Sequence, residues 1–233
     1  MTGRLPDQPV TLALTLQRWR DLTFLHWRAD PAVIAALLPP GLEVDTFDDA
    51  AWLGVTPFVM DDVRTPGTPA VPHLSRFPEV NLRTYVRAAD GATGIWFFSL
   101  DCARLPVVAA LRTLGLPYRW AEIEVEPDVG RIAYRSRRRQ GGIRMQAAVI
   151  TGSAVSPGPL ENFLTGRWSA FTRRAGRLWR VPVEHDPWPL HTATARADVG
   201  QLFAAAGLPP PAGGPLAHFS PGVSVRIGVP RPV

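Results

Sequence analysis

Between Phe77 and Arg87 the chain reads FPEVNLRTYVR, with Glu79, Asn81, Arg83, Tyr85 and Arg87 at alternate positions. Side chains of a β-strand leave opposite faces in turn, so a strand here projects all five from one side. The runs on either side, Ala51 to Val59 and Ile95 to Leu100, are strongly apolar. A row of carboxylate, amide, guanidinium and phenol between apolar strands fits the wall of a lined cavity better than an exposed rim.

The partner strand follows a turn at Asp90-Gly91 and Gly94 and reads IWFFSLD. Hairpin signals of this kind leave the register open by one residue. Tyr85 opposite Ile95 sets Asn81 against Ser99 and Glu79 against Asp101, and we expect this register because it gathers the polar groups into one patch. A one-residue slip would instead oppose the row to Trp96, Phe98 and Leu100. After the hairpin a helix starts near Pro106, repeats Val107, Leu111 and Leu114 on one face, and stops at Gly115 and Pro117. Arg112 sits in its last turn, where the helix dipole favours a cation.

Strand signals dominate the remaining chain. Leu22 to Arg28 is strand-like; Asp30-Pro31 caps a short helix over Ala32 to Leu38; Leu42 to Phe47 and Ala51 to Val59 form a hairpin. Pro57 marks a bend or an edge, and Asp61 to Ser75 reads as loop. Arg119 to Glu126 and Arg131 to Arg137 pair around Pro127 to Gly130, with Glu122, Glu124 and Glu126 toward solvent. Further strands are expected at Ile143 to Thr151, Trp168 to Thr172, Arg177 to Val183, Leu190 to Arg196 and Val223 to Val229, with helices at Leu160 to Leu164 and Val199 to Ala206. About ten strands in neighbouring hairpins and four short helices predict an α+β, mostly antiparallel sheet curled into a barrel. Residues 1–11 are expected to form a flexible arm and 12–233 a single domain.

Composition closes several chemistries. All 25 basic residues of the 233 are arginine, so no side chain can form a Schiff base or serve a P-loop. The single cysteine, Cys102, excludes an intrachain disulfide and reads as buried filler. The arginine run Arg135, Arg137, Arg138, Arg139 and Arg144 ends at Gln140-Gly141-Gly142 and reads as a solvated hairpin tip, with no nucleic-acid-binding motif beside it. No stretch is apolar enough to span a membrane and Met1 to Arg20 lacks a signal-peptide pattern, so a cytoplasmic setting is expected. No Walker, G-x-G-x-x-G or G-x-S-x-G sequence occurs, and no cofactor is expected. Among the five histidines only His185, His191 and the adjacent Asp186 suggest a metal, and Pro187-Trp188-Pro189 makes that stretch a structural corner instead.

Glu79 is the best acid or base, since burial would raise its pKa and Arg83 would lower it. A structural Glu–Arg pair between strands is the competing reading. Arg83 and Arg112 have the fork geometry to clamp a carboxylate.

The residues LHWRADPAVIAALLPPGLEVDTFDDAAWLGVTPF, FPEVNLRTYV, GIWFFSLD, LGLPYRWA and HDPWPL resemble the bacterial domain of unknown function 2071 family across nearly the whole chain. That family is similar in fold to acetoacetate decarboxylase, which implies a cone-like antiparallel β-barrel with flanking helices around a cavity. The resemblance places the decarboxylase's strand glutamate at Glu79, its helix at Leu105 to Leu114 and its following proline at Pro117. Its lysine pair is replaced by Tyr118 and Arg119, and a phenol cannot form an imine with a ketone. These readings converge on a small carbonyl or carboxylate compound held in the barrel, with Glu79 as acid/base, Tyr118 donating to a carbonyl oxygen, and Asn81, Arg83, Tyr85, Ser99, Asp101 and Arg112 around it. A non-catalytic small-ligand binder is the alternative, and a structural protein acting through a homo-oligomer surface is the third. Neither nucleic acid nor membrane is an expected partner.

Overall fold

One sheet, within the described residues 5, 6 and 9–233 of the computed structural model, closes on itself twice. In chain order the elements are β1 (Ala13–Ala29), α1 (Pro31–Ala35), β2 (Leu42–Val44), β3 (Ala51–Arg64), β4 (Phe77–Ala88), β5 (Thr93–Cys102), α2 (Leu105–Arg112), β6 (Tyr118–Asp128) and β7 (Arg131–Arg138). They continue with β8 (Arg144–Ala154), α3 (Pro159–Thr165), β9 (Ser169–Arg174), β10 (Arg177–His185), β11 (His191–Asp198), α4 (Gly200–Ala204), β12 (Leu216–Gly228) and β13 (Arg231–Pro232). Strands β5, β6, β7, β8, β11, β12, β1, β3 and β4 pair in that order and β4 returns to β5, which closes a nine-stranded ring. Strands β9 and β10 bridge β5 to β12 and close a second ring through β12, β1, β3, β4 and β5. The pairings are antiparallel except β5 with β6 and β5 with β9.

The five shared strands are a wall with a core on each face, and their alternation sorts the side chains. From β4, Val80 and Leu82 pack with Ile132, Met145 and Val149 of β7 and β8 inside the nine-stranded ring. Phe77 of the same strand packs with Val183 of β10 and Val225 of β12 inside the second. Both faces of this wall are buried, which explains the near-continuous apolar runs of β1 and β3. Gly94 admits β9 beside β5, because a Cβ there would lie 2.6 Å from the Ser169 carbonyl oxygen.

Two of the wall's extra residues set its parity around the site. Between β1 and β3 the register passes from Arg20 opposite Val59 to Leu25 opposite Val55, with Asp21 at φ 50°. This bulge puts Trp19, Leu22 and Phe24 on one face although their spacing is uneven. Pro57 falls in the interrupted stretch, where its missing N–H costs no ladder bond across to β1. On β5, Phe98 is the extra residue: Leu82 pairs with Ser99 but Arg83 pairs with Phe97.

Several boundaries differ from the sequence reading. Strand β1 begins at Ala13 and β12 at Leu216, and β3 runs to Arg64 into the expected loop, because Thr15, Gln17 and Val63 face the second ring. Helix α1 stops at Ala35; Asp30 caps it through Oδ1, 2.8 Å from the Ala32 nitrogen. Of the expected arm, residues 1–4, 7 and 8 lie outside the described residues. Val10 is buried, its N–H donates to the Glu184 carboxylate, and its carbonyl accepts from Arg226 at 2.9 Å. Among the described residues no helix is long and apolar enough to cross a membrane.

Candidate functional site

The second ring encloses a cavity of about 540 Å³. Strand register fixes its axis. On β4 the cavity-facing order is Phe77, Glu79, Asn81 and Arg83; on the antiparallel β3 it runs back through Met60, Phe58 and Thr56 to Gly54. Exposed Leu14 of β1, Ala110 of α2 and Arg174 of β9 mark the mouth, beyond the Phe77 end. Arg83, His185 and Arg167 mark the floor. Phe24, Phe58, Phe97, Trp19 and Trp188 wall the space between without filling it.

Glu79 and Tyr118 meet on this wall from β4 and β6, the strands on either side of β5. The crossover from β5 through α2 returns the chain parallel to β5, with Tyr118 beside Leu100, while Glu79 pairs with Cys102 two residues on. Pro106 at the start of α2 and Pro117 after it set this return. The Tyr118 hydroxyl donates to Glu79 Oε2 at 3.4 Å, and Oε1 has no partner. That bond is longer than a well-made O–H···O contact, so a third oxygen can share it. Burial raises Glu79 from 4.5 to about 8; the hydrogen bonds from Tyr118 and Cys102 pull downward and the charge of Asp101 across the sheet pushes up. Glu79 is therefore mostly a neutral acid at pH 7. Burial, then the nearby Glu79, holds the Tyr118 phenol well above its usual 10, so it acts as a donor.

Arg83 is a buried cation short of partners. Its Nη2 reaches the Tyr85 hydroxyl and the Leu164 carbonyl only at 3.5 Å each, and its Nε has none. Among the described residues no carboxylate pairs with it, though Phe24 and Tyr85 rings lie beneath the guanidinium at 5.4 and 5.8 Å. An unpaired buried charge costs several kcal/mol. Gly54 makes the placement sterically feasible, since a Cβ there would lie 3.3 Å from Arg83 Nε and 3.2 Å from His26 Cδ2. Tyr85 supports the floor from behind: its hydroxyl donates to the Leu164 carbonyl at 2.8 Å and lies 2.6 Å from His26 Nε2. Since a carbonyl only accepts, the hydroxyl hydrogen is committed to Leu164 and His26 Nε2 is the donor to Tyr85. Burial, with Arg83 nearby, keeps His26 neutral and lowers His185 to about 4.

The structure assembles part of the predicted constellation. Glu79, Asn81, Arg83 and Tyr118 line one cavity, and Tyr85 braces it. Ser99 and Asp101 do not join them. Because Phe98 is inserted, Tyr85 does pair with Ile95, but Asp101 pairs with Val80 and faces the other ring. There Arg138 Nε donates to Asp101 at 2.9 and 3.1 Å and Arg138 Nη2 donates to Ser99 at 2.7 Å. Burial raises Asp101 to about 6 against the pull of Arg138. Arg112 is exposed on α2 and outside the cavity, so it clamps nothing with Arg83. Arg87 reaches out to Asp45 at 2.7 Å. Nor is the arginine run uniformly solvated: Arg135 and Arg139 pair with Glu124 and Glu122 outside, whereas Arg138 is buried.

Thr56 and Arg167 are among the cavity residues that escaped the sequence reading, and His185, weighed there only as a metal ligand, also lines the cavity. Thr56, opposite Asn81, presents an unpartnered Oγ1, and Asn81 Oδ1 is likewise unpartnered. Its position two residues after Gly54 on an apolar strand was the available signal. Arg167 is buried against Asp45 at 2.6 Å and stacks 4.1 Å above Phe163. His185 lies between Trp168 and Trp188, with ring centroids at 4.4 and 4.8 Å. Among the described residues no group of three or more His, Cys, Asp or Glu side chains is placed to hold a metal ion.

The double-ringed barrel is the acetoacetate decarboxylase-like fold. The solved acetoacetate decarboxylase-like enzyme from Sphingomonas wittichii RW1 superposes with a TM-score of 0.69 at 15% identity, covering 99% of this chain and 98% of that one. The enduracididine biosynthesis enzyme MppR, solved with HEPES bound, gives 0.69 at 14% identity over 97% and 90%. Acetoacetate decarboxylase from Legionella pneumophila gives 0.63 at 16% over 97% and 92%. Within this fold the chain belongs to the DUF2071 family, described as an uncharacterized conserved protein, whose model matches residues 16–224. The uncharacterized protein YqjF of Bacillus subtilis (strain 168) is 35% identical over 232 residues, 94% of each chain.

Proposed function

We propose that this protein binds a small carboxylate-bearing carbonyl compound in the cavity of the second ring and moves a proton next to its carbonyl group without a covalent intermediate. The observation that carries the reading is the arrangement of one wall: the Glu79–Tyr118 pair and, two cavity-facing positions deeper, the unpaired Arg83. Arg83 receives the carboxylate. In its ionised form Glu79 takes the proton α to the carbonyl; the C–H bonding pair becomes the enolate C=C bond, the carbonyl π pair moves onto oxygen, and the Tyr118 hydroxyl donates to the oxyanion that develops. Return of the proton restores the ketone. A pKa near 8 leaves about a tenth of Glu79 ionised at pH 7, but makes that fraction a stronger base than an ordinary carboxylate.

Solvent deuterium exchange at C3 of 2-oxo acids, the carbon next to the keto group, followed by proton NMR, tests this. Wild type is expected to accelerate exchange and Glu79→Gln to abolish the acceleration while ligand affinity stays within a few-fold. Binding without acceleration by wild type would favour the non-catalytic carrier, a reading to which the predominantly neutral Glu79 also lends itself. A cytoplasmic setting suits both, since buried Cys102 requires no oxidising compartment.

A further inference from the structure

We infer that the ligand is an amphiphilic monocarboxylate, bound head-first, with its carboxylate on Arg83 at the floor, its oxygen substituents close to that head and a hydrocarbon chain running to the mouth. The inference rests on the reading of Arg83 as a carboxylate receptor and adds the ligand's size, polarity pattern and direction.

Size comes first. A cavity of about 540 Å³ lies in the range of drug-sized ligands and equals roughly 18 water volumes of about 30 Å³ each. A keto acid of three or four carbons occupies a small part of it. The remainder is apolar, and favours a ligand that covers it.

Polarity then gives the direction. Five buried polar groups of the lining lack partners for one atom each: Trp179 Nε1, on β10 opposite Thr172 near the rim, and Arg83 Nε, Asn81 Oδ1, Thr56 Oγ1 and Glu79 Oε1. The last four lie on the inner half of β3 and β4, along roughly 13 Å of strand between Arg83 and Glu79 at about 3.3 Å per residue. A ligand oxygen placed there finds hydrogen-bonding groups. Outward of Glu79 the wall is mostly apolar, with Met60, Phe77, Val63, Leu111 and Leu114 ending at Leu14, which is 43% exposed; its polar groups include Gln17 and Thr15, which bond each other, and Trp179 Nε1. Away from Trp179 an oxygen in that half would be desolvated without compensation, so the outer part of the ligand is chiefly hydrocarbon. The reverse pose has one cation available, Arg174 at the rim. It is exposed and solvated, so a carboxylate gains little there compared with the buried, unpaired Arg83.

The test is a titration of the full chain with butanoate, hexanoate, octanoate and decanoate and the matching amides, read by calorimetry and by fluorescence of the lining tryptophans. Each added pair of methylenes is expected to tighten binding about fifteenfold through octanoate. Octanoate is expected to bind at least tenfold tighter than octanamide in wild type and equally in Arg83→Gln. Leu111→Trp, which narrows the outer half, is expected to weaken decanoate at least tenfold and to leave butanoate unchanged. Should that variant fail to fold, Leu14→Trp on the exposed rim makes the same comparison. Carboxylate preference with no gain along the series overturns the amphiphilic ligand while leaving Arg83 as anion receptor. No preference for carboxylate over amide in wild type overturns the receptor reading and this inference with it. Equal weakening of butanoate and decanoate by the narrowing variant overturns the direction.

Discussion

The hydroxyl of Tyr118 lies 3.4 Å from the carboxylate of Glu79, where strand register brings β4 and the start of β6 to opposite sides of β5. Tyr118 is a phenol that cannot bond covalently to a ketone but can stabilise an enolate oxygen. The site is thus one hydrogen bond donor, one high-pKa carboxyl group and one unpaired guanidinium on a mostly apolar wall.

Glu79 should make the protein less stable as pH rises. Its folded pKa of about 8 exceeds the ordinary 4.5, so its contribution is fully present below about 4.5 and is lost progressively as pH rises through about 8. Glu79→Gln removes this dependence. Thermal unfolding between pH 5 and 9 is expected to show wild type losing stability relative to Glu79→Gln by an amount on the order of a few kcal/mol, with the difference levelling off above pH 8 to 9. Parallel curves would contradict it.

Tyr118→Phe removes a hydrogen bond that lowers the Glu79 pKa. The exchange reaction is expected to slow about 10- to 100-fold from loss of the oxyanion donor, and its pH–rate midpoint to move upward. A slower rate with an unmoved midpoint would separate the two roles and contradict the pairing.

Arg83 should be costly to the free protein. Replacing it with Met exchanges an unpaired buried cation for a side chain of similar reach, so the unliganded variant is expected to unfold at the same or a higher temperature than wild type. Carboxylate ligands should then no longer raise its melting temperature. A large destabilisation of unliganded Arg83→Met would mean that the contacts to Tyr85 and Leu164 outweigh desolvation.

The opposite holds on the other face of the wall. Asp101→Asn leaves Arg138 buried without its counter-charge and is expected to destabilise by about 3–5 kcal/mol in chemical denaturation, with little effect on carboxylate binding. The double variant Asp101→Leu, Arg138→Met should recover much of that loss. Failure to recover would show that packing in the nine-stranded ring, not the ion pair, fixes these positions.

These contrasts explain what the sequence could and could not disclose. Glu79, Asn81 and Arg83 were legible as one face because β4 alternates without interruption, and the return to Tyr118 because Pro106, Gly115 and Pro117 punctuate α2. Asp101 was misplaced by a single inserted residue, Phe98, which no local signal distinguishes from its aromatic neighbours. The burial of Arg138 was illegible for another reason: its partner comes from β5, 37 residues away, and the two meet only because β6 pairs with β5 on one side and with β7 on the other. Within β1, the unevenly spaced Trp19, Leu22 and Phe24 share a face because Asp21 adopts a positive φ.

The central claim, that Glu79 is a buried carboxyl group held ready to exchange a proton near neutral pH, is tested most directly by a carbon-13 NMR titration of the glutamate side-chain carboxyls, with Glu79 assigned by its absence in Glu79→Gln. The predicted result is a midpoint at about 8, moving upward in Tyr118→Phe. A midpoint near 4.5 would contradict the account, because Glu79 would then be an ordinary ionised carboxylate facing a ligand that carries the same charge.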